Sequence, residues 1–173
     1  LECAKQIKHE VDMLPDCNVK FHGEGLVQEI MRDYQRPAQS KPVAIAVEHP
    51  ELISAEYKRM NEELHENRLD YGISGSKYAD VVFKLCQNMK TTAVLDYGCG
   101  KGYLAKALPF PIWEYDPAVP SKSELPRPAD LVICTDVLEH VEPEKLLYVL
   151  ADLRRVTRKV GYFVVHLGPA KKQ

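Results

Sequence analysis

The chain has 173 residues, a formal net charge of −2, 45% hydrophobic and 28% charged residues. That balance suits a globular protein of one ordinary domain plus an extension and excludes a disordered chain. No long basic block signals a phosphate-tracking nucleic-acid surface, and no apolar run approaches the roughly 20 residues that cross a membrane.

Residues 1–75 are rich in charge and read as a mainly helical extension or lid. Leu26, Val27, Ile30 and Met31 fall at helical spacing within Glu24–Tyr34, and Arg36-Pro37 closes that segment. Val43–Val47 is a short apolar run with strand character. Ser54 is placed to cap a helix running to Asn67, with Tyr57, Met60 and Leu64 on one face. Tyr71–Gly75 forms a flexible joint.

Residues 76–173 alternate helix and strand patterns, as an α/β domain does. Ser76–Met89 reads as a helix and Ala93–Tyr97 as a buried strand. Gly102–Leu108 is a short helix stopped by Pro109. Ile112–Tyr115 is a second strand. Asp130–Thr135 is a third, its apolar run Leu131–Cys134 suiting a parallel strand covered on both faces. Pro143 suits the first turn of a helix with Leu146, Leu147, Leu150 and Leu153 as its stripe. Arg154, Arg155, Arg158 and Lys159 read as a solvated face that complements that helix's dipole. Tyr162–Leu167 is the last strand, ending at Gly168-Pro169.

The five cysteines, Cys3, Cys17, Cys86, Cys99 and Cys134, are odd in number and contain no C-x-x-C pair. Reduced thiols in a cytoplasmic protein are the expectation. Cys99 and Cys134 read as small packing residues rather than nucleophiles.

The run Val94–Gly102 carries the chemistry. A strand ends, the chain turns over glycines at alternate positions, and a helix begins. Glycine permits positive φ and close approach of a ligand to the backbone, and the new helix offers free N–H groups to an anion such as an amino-acid carboxylate. The dinucleotide pattern G-x-G-x-x-G fails at Tyr103, and the P-loop fails because Gly102 follows Lys101. The motif is D-x-G-x-G-x-G.

Val94–Leu108 resembles motif I of the class I S-adenosylmethionine-dependent methyltransferases, and Asp130–Val141 resembles their fourth-strand segment. The resemblance covers roughly residues 76–168. It implies a Rossmann-like core that binds S-adenosyl-L-methionine. Asp96 then supports the methionine amino group, and Tyr97, Gly98, Gly100 and Gly102 shape the loop beneath the cofactor. Asp116 takes the place of the acid that accepts the ribose hydroxyls, with Glu114 as the fallback. Asp136 and Val137 line the cofactor after the fourth strand. Each has a plainer reading beside it: turn chemistry for Asp116-Pro117, a helix cap for Asp136.

Two departures from the family stand out. The stretch between Asp116 and Asp130 holds Pro117, Pro120, Pro126 and Pro128 and is too short for the usual helix and third strand, so adenine is expected on Leu138 or the proline-rich loop. The family also continues beyond its fifth strand, so an abbreviated or C-terminally truncated sheet is expected. In brevity the chain resembles methyltransferase-like proteins of bacteriophages and prophages.

Methyl transfer needs in-line placement of an acceptor, and a base if the acceptor is a hydroxyl. His140 is the candidate, set against a histidine merely fixed in a turn; His166 is a second. Asp136, Glu139 and His140 have the i, i+3, i+4 spacing that could hold a divalent metal on a helical turn, as the small-RNA 2′-O-methyltransferases resemble, but the reading without metal is preferred. No Asn/Asp-Pro-Pro-Tyr/Phe motif and no Pro-Cys pair occurs, which disfavours DNA amino and cytosine C5 methylation. A small molecule, sugar or other O-nucleophile is the expected acceptor. The alternatives are a non-catalytic cofactor-binding module and a lyase using the same cofactor. Tyr71, Lys77 and Tyr78 stand where the family often covers the cofactor.

Overall fold

The structure, a computed structural model, describes residues 26–31, 51–69 and 71–165. The expected strand at Val43–Val47, the stop at Arg36-Pro37, His166, the end at Gly168-Pro169, Cys3 and Cys17 lie outside these residues.

In chain order the elements are β1 (Leu26–Met31), α1 (Ala55–Asn67), a 3₁₀ turn (Ser74–Tyr78), α2 (Ala79–Met89), β2 (Val94–Tyr97), α3 (Tyr103–Ala107), β3 (Trp113–Tyr115), a second 3₁₀ turn (Pro120–Lys122), β4 (Ala129–Thr135), a third (Leu138–His140), α4 (Leu146–Val156) and β5 (Thr157–Val165). The sheet order is β1-β5-β4-β2-β3. Strands β2 to β5 run parallel, and β1 pairs antiparallel with β5, Leu26 opposite Val165 and Met31 opposite Val160. This is the mixed α/β arrangement of a Rossmann-like core.

Local chemistry sets the ends. The Ser54 hydroxyl accepts the Tyr57 N–H at 3.1 Å and starts α1. Lys90, left-handed at φ 53°, closes α2 and turns its N–H back to Cys86 and Gln87.

The sheet is covered on both faces. Leu131 and Ile133 of β4 pack toward α2 and α3 with Val82, Cys86, Val94 and Leu104. Val132 and Cys134 pack toward α4 with Leu95, Leu146, Val149 and Leu153. All four β4 side chains are fully buried, as a central parallel strand requires.

Four expectations are corrected. The segment expected as a helix over Glu24–Tyr34 contributes β1, so the N-terminal extension is not helical throughout: part of it belongs to the sheet. The helix after Pro143 starts only at Leu146, because Pro143 is spent on a turn whose carbonyl receives the Leu146 N–H. The last strand begins at Thr157, directly after α4 and five residues before the expected start. Arg155 is not simply solvated: its Nε donates to the buried Asp152 at 2.7 Å and its guanidinium reaches the Pro126 carbonyl at 3.3 Å. Arg155 thereby pins the proline-rich connection between β3 and β4. That connection holds one 3₁₀ turn and no strand, as its prolines dictate, and leaves β3 at the sheet edge.

Candidate functional site

A cleft of ≈ 1310 Å³ opens at the carboxyl ends of β2, β3 and β4. The chain passes from β2 to β3 on one side and then crosses to β4 on the other side of β2, the switch point where open α/β sheets bind ligands.

The floor is the loop after β2. Gly98, Gly100 and Gly102 have φ of 79°, 50° and 72°, the left-handed region that favours glycine. A Cβ on Gly98 would fall within the methyl groups of Val137, and one on Gly102 would collide with the carboxylate of Glu114 and the ammonium of Lys122. Gly98 and Gly100 line the cleft, whereas Gly102, expected beneath the cofactor, does not: it sets the turn into α3, backed by Glu114 and Lys122.

Asp116 stands at the tip of β3, 8% exposed and lining the cleft. One carboxylate oxygen accepts the Gly100 N–H and the other the Ala118 N–H, both at 2.9 Å. The turn chemistry thus fixes the carboxylate at the cleft. Each oxygen keeps a lone pair for a further donor. Glu114 instead pairs with Lys122 at 2.9 Å on the far side of the loop and does not line the cleft, so the fallback is set aside.

Asp96, 4% exposed at the end of β2, also lines the cleft. Burial pushes its carboxyl up to about 7; Glu114 and Asp116 push the same way, and Lys122 opposes them. Tyr97 borders the cleft, but its ring lies in the core against Tyr115 at 4.9 Å, and its hydroxyl donates to Asp152 of α4 at 3.0 Å. Only its main chain is thus left to shape a cofactor loop. Cys99 and Cys134 are buried thiols whose pKa burial raises, as packing residues should be.

After β4, Asp136 takes the left-handed conformation at φ 55°. The Tyr78 hydroxyl donates to its carboxylate, 3.1 Å from each oxygen. Burial and that carboxylate raise the Tyr78 phenol's pKa. Asp136 is therefore no helix cap: the following turn Leu138–His140 has no side-chain cap bond. The helical turn that would bring Asp136, Glu139 and His140 to one metal is absent, and among the described residues no group of three His, Cys, Asp or Glu side chains could hold one. Leu138 is 3% exposed and packs in the core under α4, away from the cleft. Of the two expected places for adenine, Leu138 is thereby set aside, while Pro117 and Ala118 of the proline-rich loop line the cleft.

His140 lines the cleft, and its carbonyl accepts the Tyr57 hydroxyl at 2.6 Å. Tyr57 begins a set of contacts that sequence reading missed. The Ser54 N–H donates to Glu142 at 2.8 Å, Asn61 donates to the Tyr57 carbonyl at 2.9 Å, and Tyr71 donates to Asn61 at 2.6 Å. On the other rim the Lys101 N–H reaches the Gly72 carbonyl at 3.1 Å, and Lys101 Nζ reaches the Arg68 carbonyl at 2.5 Å. The segment from residue 52 to 78 thus bridges the glycine loop and the turn after β4. His65 packs its imidazole edge over Gly72 and Gly100, and burial lowers its pKa. Tyr71, Lys77 and Tyr78, expected where the family covers the cofactor, line the cleft, whereas the contacts of α1, whose single buried residue is Asn61, had no signal beyond its polar-aromatic character.

The site fits S-adenosylmethionine on its own geometry: a glycine floor with no room for side chains, a buried acid at its inner end and a pre-aimed carboxylate at the next strand tip. A family model described as a methyltransferase domain matches residues 49–169. That match spans residue 75 and takes in the roof as well as β2 to β5. No curated protein and no solved structure matches the chain.

Proposed function

The chain belongs to the class I S-adenosylmethionine-dependent methyltransferases, and on that premise we propose that it methylates a small molecule, sugar or other oxygen nucleophile held beneath the roof of the cleft. S-adenosylmethionine is the methyl donor, and its sulfonium supplies an intrinsically electrophilic methyl group. The protein's own task is to bind, orient and exclude water. Fixed in-line placement of an acceptor is worth up to roughly 7–11 kcal/mol of barrier.

The observation that carries the site assignment is the convergence of Asp96, Gly98, Gly100 and Asp116 on the cleft. Asp96 as a carboxylate receives the donor's ammonium group. The bare backbone at Gly98 and Gly100 lets the donor lie against the loop, Gly102 sets the turn that follows, and Tyr97 contributes its main chain. Asp116, already fixed by two backbone N–H groups, accepts the ribose hydroxyls. Val137 buttresses Gly98, and Asp136, oriented by Tyr78, faces the acceptor side.

His140 is the proposed base that takes the acceptor's hydroxyl proton. Its main chain is tied to Tyr57, which holds the turn in place. The alternative of a lyase using the same cofactor is separated by product: methylthioadenosine or homoserine lactone formed without any acceptor identifies it. Calorimetry with S-adenosylhomocysteine tests the cleft directly. No binding by the full chain at any pH between 5.5 and 8.5 overturns the assignment.

A further inference from the structure

Asp96 and Glu114 are register partners on adjacent parallel strands, so their carboxylates project from the same face of the sheet. Two acids so placed repel each other unless a cation stands nearby. Lys122 is that cation: its Nζ lies 2.9 Å from Glu114 Oε1. The same Nζ reaches the Gly100 carbonyl at 3.2 Å. The peptide groups on both sides of Gly100 are therefore held, its N–H by Asp116 and its C=O by Lys122. The Lys122 carbonyl in turn receives the Asp116 N–H at 3.1 Å, tying the strand tip to the same short turn. The ion pair fills the space beneath Gly102 where a Cβ would stand. Lys122 is not among the residues that line the cleft.

We propose that Lys122, paired with Glu114, is a positioning residue for the methyl donor, fixing the glycine loop from beneath and supplying a cation beside Asp96. It stands in the proline-rich connection that replaces a helix and strand, and it does the bracing that longer elements would do. The inference rests on Asp96 receiving the donor's ammonium group. The groups facing Asp96 are Glu114 on β3, Asp116 at its tip, Cys99 in the loop and Lys122. Only Lys122 among these favours the carboxylate. Removing it disfavours the charged form, whereas neutralising Glu114 favours it.

Calorimetric titration of the full chain with S-adenosylhomocysteine across pH 5.5–8.5 tests this. Lys122→Met is expected to weaken binding roughly tenfold at pH 7.5 and to move the midpoint of the pH dependence upward by about half a unit. Lys122→Arg restores most of both. Glu114→Gln moves the midpoint downward. A purely structural role would not shift the two midpoints in opposite directions. Lys122→Met binding within twofold of the parent at an unchanged midpoint overturns the proposal, as do shifts of both variants in the same direction. If Lys122→Met does not fold, the Glu114→Gln midpoint decides, and no downward shift overturns the proposal. Absence of binding by the parent protein would instead remove the cleft assignment beneath it.

Discussion

The hydroxyl of Tyr57 on α1 donates to the carbonyl of His140 at 2.6 Å, so a residue from before the α/β core holds the turn that carries the proposed base. Tyr57→Phe deletes that bond and leaves a half-buried carbonyl short of a donor. The expected cost is about 1 kcal/mol of stability, read as a lower midpoint in chemical denaturation. Turnover is expected to fall more than donor affinity, because the turn lies on the acceptor side. A variant with unchanged turnover would sever the roof from catalysis.

Gly98→Ala tests the floor. The left-handed backbone costs an L-residue about 1–2 kcal/mol, and the new methyl collides with Val137. S-adenosylhomocysteine binding is expected to disappear. Adding Val137→Ala relieves the collision but not the backbone conformation, so calorimetry should show partial recovery at most.

Asp116→Asn changes one acceptor oxygen to an NH₂ group, which must then face either the Gly100 or the Ala118 N–H. Donor meets donor, and one lone pair offered to the ligand is lost. Affinity for S-adenosylhomocysteine is expected to fall roughly a hundredfold. A loss under threefold would place the ribose elsewhere.

Asp96 is expected to make binding depend on pH. Its folded carboxyl sits near 7, above the ordinary value of 3.8. The folded state therefore holds the proton more tightly than the unfolded chain does. The stabilisation this represents is full below the unfolded value and is lost as pH rises through about 7. A ligand ammonium favours the carboxylate, so affinity runs the other way and increases from pH 6 to pH 8. Thermal denaturation with and without S-adenosylhomocysteine should show a larger ligand-induced shift at pH 8 than at pH 6. Asp96→Asn should flatten that difference; a flat profile in the parent protein would argue against the assignment.

Much of this core is visible in local sequence signals. The strand–glycine–helix passage at Val94–Gly102 has the residues its φ angles require, and Ser54 caps the helix its position announces. The apolar run Leu131–Cys134 announces a strand covered on both faces. What stays hidden depends on distant partners. Leu26, Val27, Ile30 and Met31 fit a helical period, but pairing with β5 overrides that local preference. The run Arg154–Lys159 looks like one cationic helix end until Asp152 and Asp130 claim Arg155 and Lys159. Lys122 and Asn61 carry no motif, since their roles exist only where the turn meets the loop and where α1 meets Tyr71.

The pairing of Leu26 with Val165 also fixes an order of events in synthesis. β1 leaves the ribosome long before the strand it pairs with, and β5 is the last of the five described strands to be made. Contacts this far apart in sequence close slowly. The nascent chain must therefore carry β1 without its sheet partner until β5 has emerged, which makes this edge the point where folding in the cell is most exposed to mispairing.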